Sequence, residues 1–193
     1  MKSMTAICTF FVWVHTAPQL PDCQWCVADE APDNASWKYQ ISPLGEPGEK
    51  LTLSGTVYYS DGITPASGII IYAYHTNNEG IYNKRGDETG NGKRHGHLRG
   101  WIKTNEKGQY QFDTIKPAPY ANQTEPAHVH LTILQPDKSE YWIESTLFEG
   151  DTLIPESKKV KSEHLGEFKF IIPLQKVGTT WLATRDIRIM ADQ

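Results

Sequence analysis

Cysteine is scarce in this chain of 193 residues: only Cys8, Cys23 and Cys26 occur. A thioredoxin-like reading of the Cys23/Cys26 pair would need a βαβ context, which is absent. A four-ligand zinc site would need further partners, and none lie within sequence reach. Positive charge is not in excess either. Lys and Arg number 19 against 23 Asp and Glu, a net charge of −4, which argues against a nucleic-acid binder with its basic stripe. No run of five like charges occurs, no heptads, and no internal repeat of the solenoid kind. No segment sustains a 3.6-residue apolar period over three turns. The apolar run at residues 5–14 is too short to span a bilayer.

That run instead fits the core of a signal peptide within residues 1–26, after Met1 and Lys2. Ala17 is followed by Pro18, and His15 is bulky where a small residue is wanted, so the cleavage signal is poor. Export, periplasmic or extracellular, is the expectation; an N-terminal tail on a cytoplasmic protein is the alternative. A local disulfide between Cys23 and Cys26 suits an oxidising compartment. Residues 27–50 are acidic and rich in Pro and Gly, and read as a linker or an extended arm.

From residue 51 to 193 the signals are those of one all-β domain. Residues 51–60, 68–74, 109–115, 127–135, 166–173 and 181–190 read as strands, with turn chemistry between them. Short strands with turns between them indicate a sandwich or barrel. Residues 75–98 break the rhythm. They form a polar, Gly-rich stretch longer than compact domains usually tolerate without a functional reason.

Within this frame, His128-Val-His130 puts two imidazoles on one side of a strand. That arrangement serves either two metal ligands or two surface histidines. Tyrosine can join such a site as phenolate. Its ordinary pKa near 10 means that only a strongly acidic metal removes the proton at neutral pH, and ferric iron is such a metal. Nine tyrosines are present, so residue type alone does not choose among them.

Several blocks in order do choose. Leu53-Ser-Gly-Thr-Val opens the series, followed by Gly80-Ile-Tyr82 and Leu98-Arg-Gly-Trp-Ile-Lys-Thr. Gly108-Gln-Tyr-Gln-Phe-Asp-Thr-Ile-Lys-Pro-Ala-Pro-Tyr120, Pro126-Ala-His-Val-His130 and Leu147-Phe-Glu-Gly-Asp151 complete it. Together they resemble the intradiol ring-cleavage dioxygenases, the family of protocatechuate and catechol dioxygenases and their smaller exported relatives. The resemblance implies a prealbumin-like β-sandwich with a long active-site loop. It implies Fe(III) held by Tyr82, Tyr120, His128 and His130, with Tyr82 and Tyr120 the phenolates of the catalytic centre. The substrates would be O2 and a small aromatic diol bound as its dianion. The ring would open between the two hydroxyl-bearing carbons to a muconate-type diacid. No organic cofactor, nucleic acid or membrane span is implied, and a homo-oligomer is the family habit.

Two positions depart from the pattern. Catabolic members carry arginine directly before Pro-Ala-His, where this chain has Glu125, and glutamine three residues before the Phe of Phe-Glu-Gly-Asp, where it has Ser145. A carboxylate for a guanidinium inverts the local charge and disfavours negative charge on the ring. Glu125, Ser145 and Arg99 are therefore expected beside the ligands, and Arg94, His95 and His97 are further sources of charge, with His75 a weaker one. Two rivals remain. One is a non-catalytic prealbumin-like or carboxypeptidase-regulatory-like module, whose sandwich the strand segments also fit. The other is a cupin-like metal enzyme, with Glu140, Glu144 and His164 as imitators of its remaining ligands.

Overall fold

The computed structural model describes residues 23, 26–136 and 140–190. The apolar run at 5–14, Cys8 and the region around Ala17 lie outside them. Alternating side chains sort the strand segments into two faces, and pairing puts one face of each of two sheets against the other. In chain order the strands are β1 (Lys38–Gln40), β2 (Lys50–Tyr58), β3 (Ile70–His75), β4 (Arg99–Lys103), β5 (Gln109–Ile115), β6 (His128–Leu134), β7 (Glu140–Trp142), β8 (Thr146–Phe148), β9 (Ile171–Ile172), β10 (Gln175–Val177), β11 (Thr180–Thr184) and β12 (Ile187–Arg188). One sheet runs β1-β5-β2-β11-β10, with β12 on β2. The other runs β4-β3-β6-β8-β9, with β7 on β6. Leu51 and Leu53 of β2 and Phe112 of β5 meet Ile71 and Ala73 of β3 and Val129, Leu131 and Ile133 of β6 in one buried core.

The β6 residues between these core positions, His128, His130 and Thr132, face the other way, and so do Tyr72 and Tyr74 of β3. The outer face of the second sheet is therefore not a solvated surface. Val27 and Ala28 are buried against Tyr72 and Tyr74, with Trp101, Tyr82 and Trp142 packed around them. Trp101 Nε1 donates to the Val27 carbonyl, and the Ala28 N–H donates to Glu140 Oε1. Beyond this contact β1 pairs in parallel with β5. Residues 27–50, which the sequence presents as a linker or an extended arm, thus pack on the sandwich and give it β1, and the Cys23–Cys26 disulfide closes the described end of this segment.

Local expectations change, and residues 181–190 are not one strand but β11 and β12 with a break between them. Residues 166–173 are not one strand but a 3-10 turn, Gly166–Phe168, and the short β9. Ser162 Oγ accepts the N–H groups of both Phe170 and Ile171, taking donors that a longer ladder would use. Ser162 belongs to α2 (Glu156–Glu163), a helix that apolar periodicity does not announce because Ser162 is its one buried residue. The long loop also holds a single turn, α1 (Gly92–His95). No helix among the described residues is long and apolar enough to cross a membrane.

Candidate metal centre

β6 presents His128 and His130 from one face, two residues apart. Pro126 O accepts the proton of His128 Nδ1 at 2.6 Å. A carbonyl can only accept, so the neutral ring turns its Nε2 lone pair outward. His130 Nδ1 lies 3.0 Å from Ser145 Oγ. The two Nε2 atoms, left facing each other, are 2.8 Å apart. Neighbouring nitrogen ligands of one metal, each about 2.1 Å from it and roughly perpendicular, sit about 3 Å apart, so this spacing fits a shared ion.

The tyrosines arrive from two loops. Asn77, just past β3, accepts the N–H groups of Glu79 and Ile81 on its side-chain oxygen, and its carbonyl accepts those of Gly80 and Ala118. This ties the loop carrying Tyr82 to the segment carrying Tyr120. Gly80 makes the approach possible. Its φ is +78°, and a Cβ there would lie 2.0 Å from the Pro119 carbonyl oxygen. The two phenol oxygens end 3.1 Å apart, and the Tyr120 ring lies 5.2 Å from that of His128. Asp151, from the Phe-Glu-Gly-Asp block, accepts the Ala127 N–H at 2.8 Å and so anchors the start of β6.

All four residues are thus brought together. Burial holds the His130 imidazole well below its ordinary pKa, and that of His128 below it as well. Both rings are therefore neutral, which is the ligating form. Burial and the hydrogen bond to Tyr120 push the Tyr82 phenol up. Only a strong Lewis acid would displace its proton, and the N2O2 set with two phenols suits a hard, highly charged ion. Tyr120, His128 and His130 open into a cavity of about 310 Å3, completed by Glu125, Ser145, Leu147 and Lys158.

Glu125 and Ser145 are on the cavity beside His128 and His130. Arg99 is not. Its guanidinium donates to the carbonyls of Gly92 and Gly96 and holds the long loop instead. His97 is engaged by Asn83 O and the Glu46 carboxylate. His75 is buried between Thr76 O and Thr114 Oγ1. His95 bonds Tyr72 and stacks on Tyr74 at 3.8 Å, while the same Tyr74 stacks on His130 at 4.5 Å. Arg94 does not line the cavity. The cupin imitators are occupied elsewhere: Glu140 by Ala28 and Thr132, Glu144 by Lys158 and Lys161, His164 by the Val160 carbonyl. Sequence reasoning missed Asn77, Tyr74, Asp151 and Lys158 as residues of the site. The first had a turn signal in Asn-Asn-Glu-Gly; Lys158 had none.

A family model described as Dioxygenase matches residues 27–178. The chain belongs to the intradiol dioxygenase family. Among relatives, chlorocatechol 1,2-dioxygenase of Rhodococcus opacus is 28% identical over 158 residues, covering 70% of this chain and 57% of its own length. Catechol 1,2-dioxygenase 1 of Acinetobacter lwoffii is 31% identical over 133 residues, covering 61% of this chain and 41% of its own. The chain thus spans about half the length of these curated relatives. In fold it is similar to the dioxygenase domain of a dioxygenase–carbohydrate-binding fusion from Streptomyces sp. SirexAA-E. The TM-score is 0.60 at 19% identity, over 83% of this chain and 92% of that one. Family membership implies a non-haem iron cofactor, and the two-sheet architecture is the family's.

Proposed function

We propose that this chain is a ferric intradiol dioxygenase that opens a catechol-type ring with O2, and that Tyr82, Tyr120, His128 and His130 hold its iron. The observation that carries the reading is a pair of imidazole Nε2 atoms beside a pair of phenol oxygens, with His128, His130 and Tyr120 lining one cavity and Tyr82 bonded to Tyr120, one Nδ1 bonded to Pro126 O and the other beside Ser145. A prealbumin-like binding module has no reason to gather such a set. Ferric iron, when bound, supplies the Lewis acidity that holds an aromatic diol as its dianion and the electronic access that lets O2 react with it. The protein's part is to hold the donors at fixed spacing and keep both imidazoles neutral. One oxygen of the Tyr82–Tyr120 pair, as phenolate, would accept a proton that the incoming diol gives up. Tyr74, stacked on His130, keeps water from that side of the ring.

Glu125 stands at the cavity in the position that catabolic members give to arginine. Turnover of unsubstituted catechol or protocatechuate is accordingly expected to be low, and brisk steady-state oxidation of either would refute the charge argument. The deciding experiment is the visible absorption spectrum of the purified protein with iron quantified on the same sample. A tyrosinate-to-iron band at about one iron per chain supports the reading. A protein that stays colourless after iron reconstitution returns the chain to the binding-module class.

A further inference from the structure

Two charged side chains border the cavity in front of His128 and His130, and they have opposite signs. Glu125 precedes the Pro-Ala-His segment, and Lys158 comes from α2. An aromatic diol that loses protons on binding brings negative charge into this space, and a carboxylate beside it would oppose binding. Iron in the proposed reading answers the charge of the diol itself, which leaves the Glu125 carboxylate to be offset by a side chain. Arg99 is held by two carbonyls of the long loop. Among the residues lining the cavity, Lys158 is the one lysine or arginine.

Its placement is built rather than incidental. Ser162 fastens α2 beside β9 through the N–H groups of Phe170 and Ile171. Lys161 ties the same helix to Glu144. Lys158 Nζ stands 3.6 Å from the other oxygen of Glu144, the residue next to Ser145, whose hydroxyl touches His130. One carboxylate thus serves two lysines, so Glu144 does not by itself cancel the charge that Lys158 brings to the cavity wall. The Lys158 side chain is 39% exposed, and because Lys161 also pairs with Glu144, its ammonium can turn from that carboxylate toward a ligand.

We propose that Lys158 is a substrate-positioning residue whose ammonium faces the negative charge of the bound aromatic diol, supplying from α2 the cation that the residue at 125 does not. The proposal rests on the ferric dioxygenase reading. It assigns specificity to a helix outside the sheet that carries the donors. A lysine on a flexible stem meets the ligand as a point charge rather than a planar fork, so it tolerates more than one ring orientation.

The test is titration of the iron-loaded full-length protein with 4-nitrocatechol, followed by its visible absorption, with iron per chain measured for each variant. Lys158→Met is expected to weaken the dissociation constant about tenfold at unchanged iron content. Lys158→Arg is expected to restore it to within about threefold, because charge is kept. Lys159→Met, the same charge change one residue along on an exposed side chain, is expected to leave it unaltered. Equal affinity of wild type and Lys158→Met overturns this inference and leaves the iron reading standing. So does an equal loss in Lys158→Met and Lys158→Arg, which would assign Lys158 a role of shape. Iron-loaded wild type that takes up no probe overturns the catechol reading, and this inference with it.

Discussion

At the scale of single residues, the site depends on which atom of each ring is engaged. His128 and His130 both meet a partner at Nδ1, which leaves Nε2 for a metal. Loss of one donor should therefore be felt directly. Tyr120→Phe is expected to lose the tyrosinate-to-iron band or the iron itself, and His130→Ala to lose the iron. Spectra and metal analysis check both, and full retention of iron by the two variants would sink the ligand assignment. Ser145 acts through His130. Ser145→Ala leaves the ring in place but frees its orientation, and partners of this kind are typically worth about 10- to 100-fold in metal affinity. Competition with a chelator measures it; an unchanged affinity would mean that Tyr74 stacking alone orients the ring.

At the scale of elements, the site is a junction of loops held over a rigid strand. β6 fixes two donors by its pleat, whereas Tyr82 and Tyr120 depend on the segments that Asn77 joins. Gly80 is the close point of that junction. In Gly80→Ala the left-handed backbone and the contact with Pro119 O must both be relieved, at a cost of at least about 2 kcal/mol. The expected outcome is a lower melting temperature together with reduced iron per chain, because the loop carrying Tyr82 has to move. A variant that melts earlier yet binds iron normally would show that Tyr82 is positioned from elsewhere. The arm and α2 complete the picture from opposite ends of the chain: Val27 and Ala28 cover Tyr72 and Tyr74, and α2 brings Lys158 to the cavity.

At the scale of the whole molecule, burial that sets the site also sets acid stability. His75 is held at a pKa of about 4, chiefly by burial between the sheets, whereas an unfolded histidine titrates near 6.5. Below that value the unfolded chain binds a proton that the folded chain refuses, so stability rises with pH through this window. His75 therefore contributes fully above pH 6.5, and its contribution is lost as pH falls toward 4. The loss is about 2–3 kcal/mol by pH 4.5. Urea unfolding of iron-free protein at pH 7 and 4.5 should show it, and His75→Gln should show a smaller drop; equal drops in both proteins would assign the acid sensitivity to other groups. Much of the rest was legible beforehand. Alternation marked β2, β3, β5 and β6, because each strand buries one face in a shared core, and the spacing of His128 and His130 needs only the two-residue repeat of a strand. Tyr82 and Tyr120 were legible through ordered motifs, not periodicity. What only the tertiary structure decided was which charges reach the cavity. Arg99 sits in a promising block yet is drawn to loop carbonyls, while Lys158 sits on a polar helix with one buried residue and reaches the site. A strand's faces are a local property of the chain, but the neighbour of a long charged side chain depends on elements that meet only when the sandwich closes.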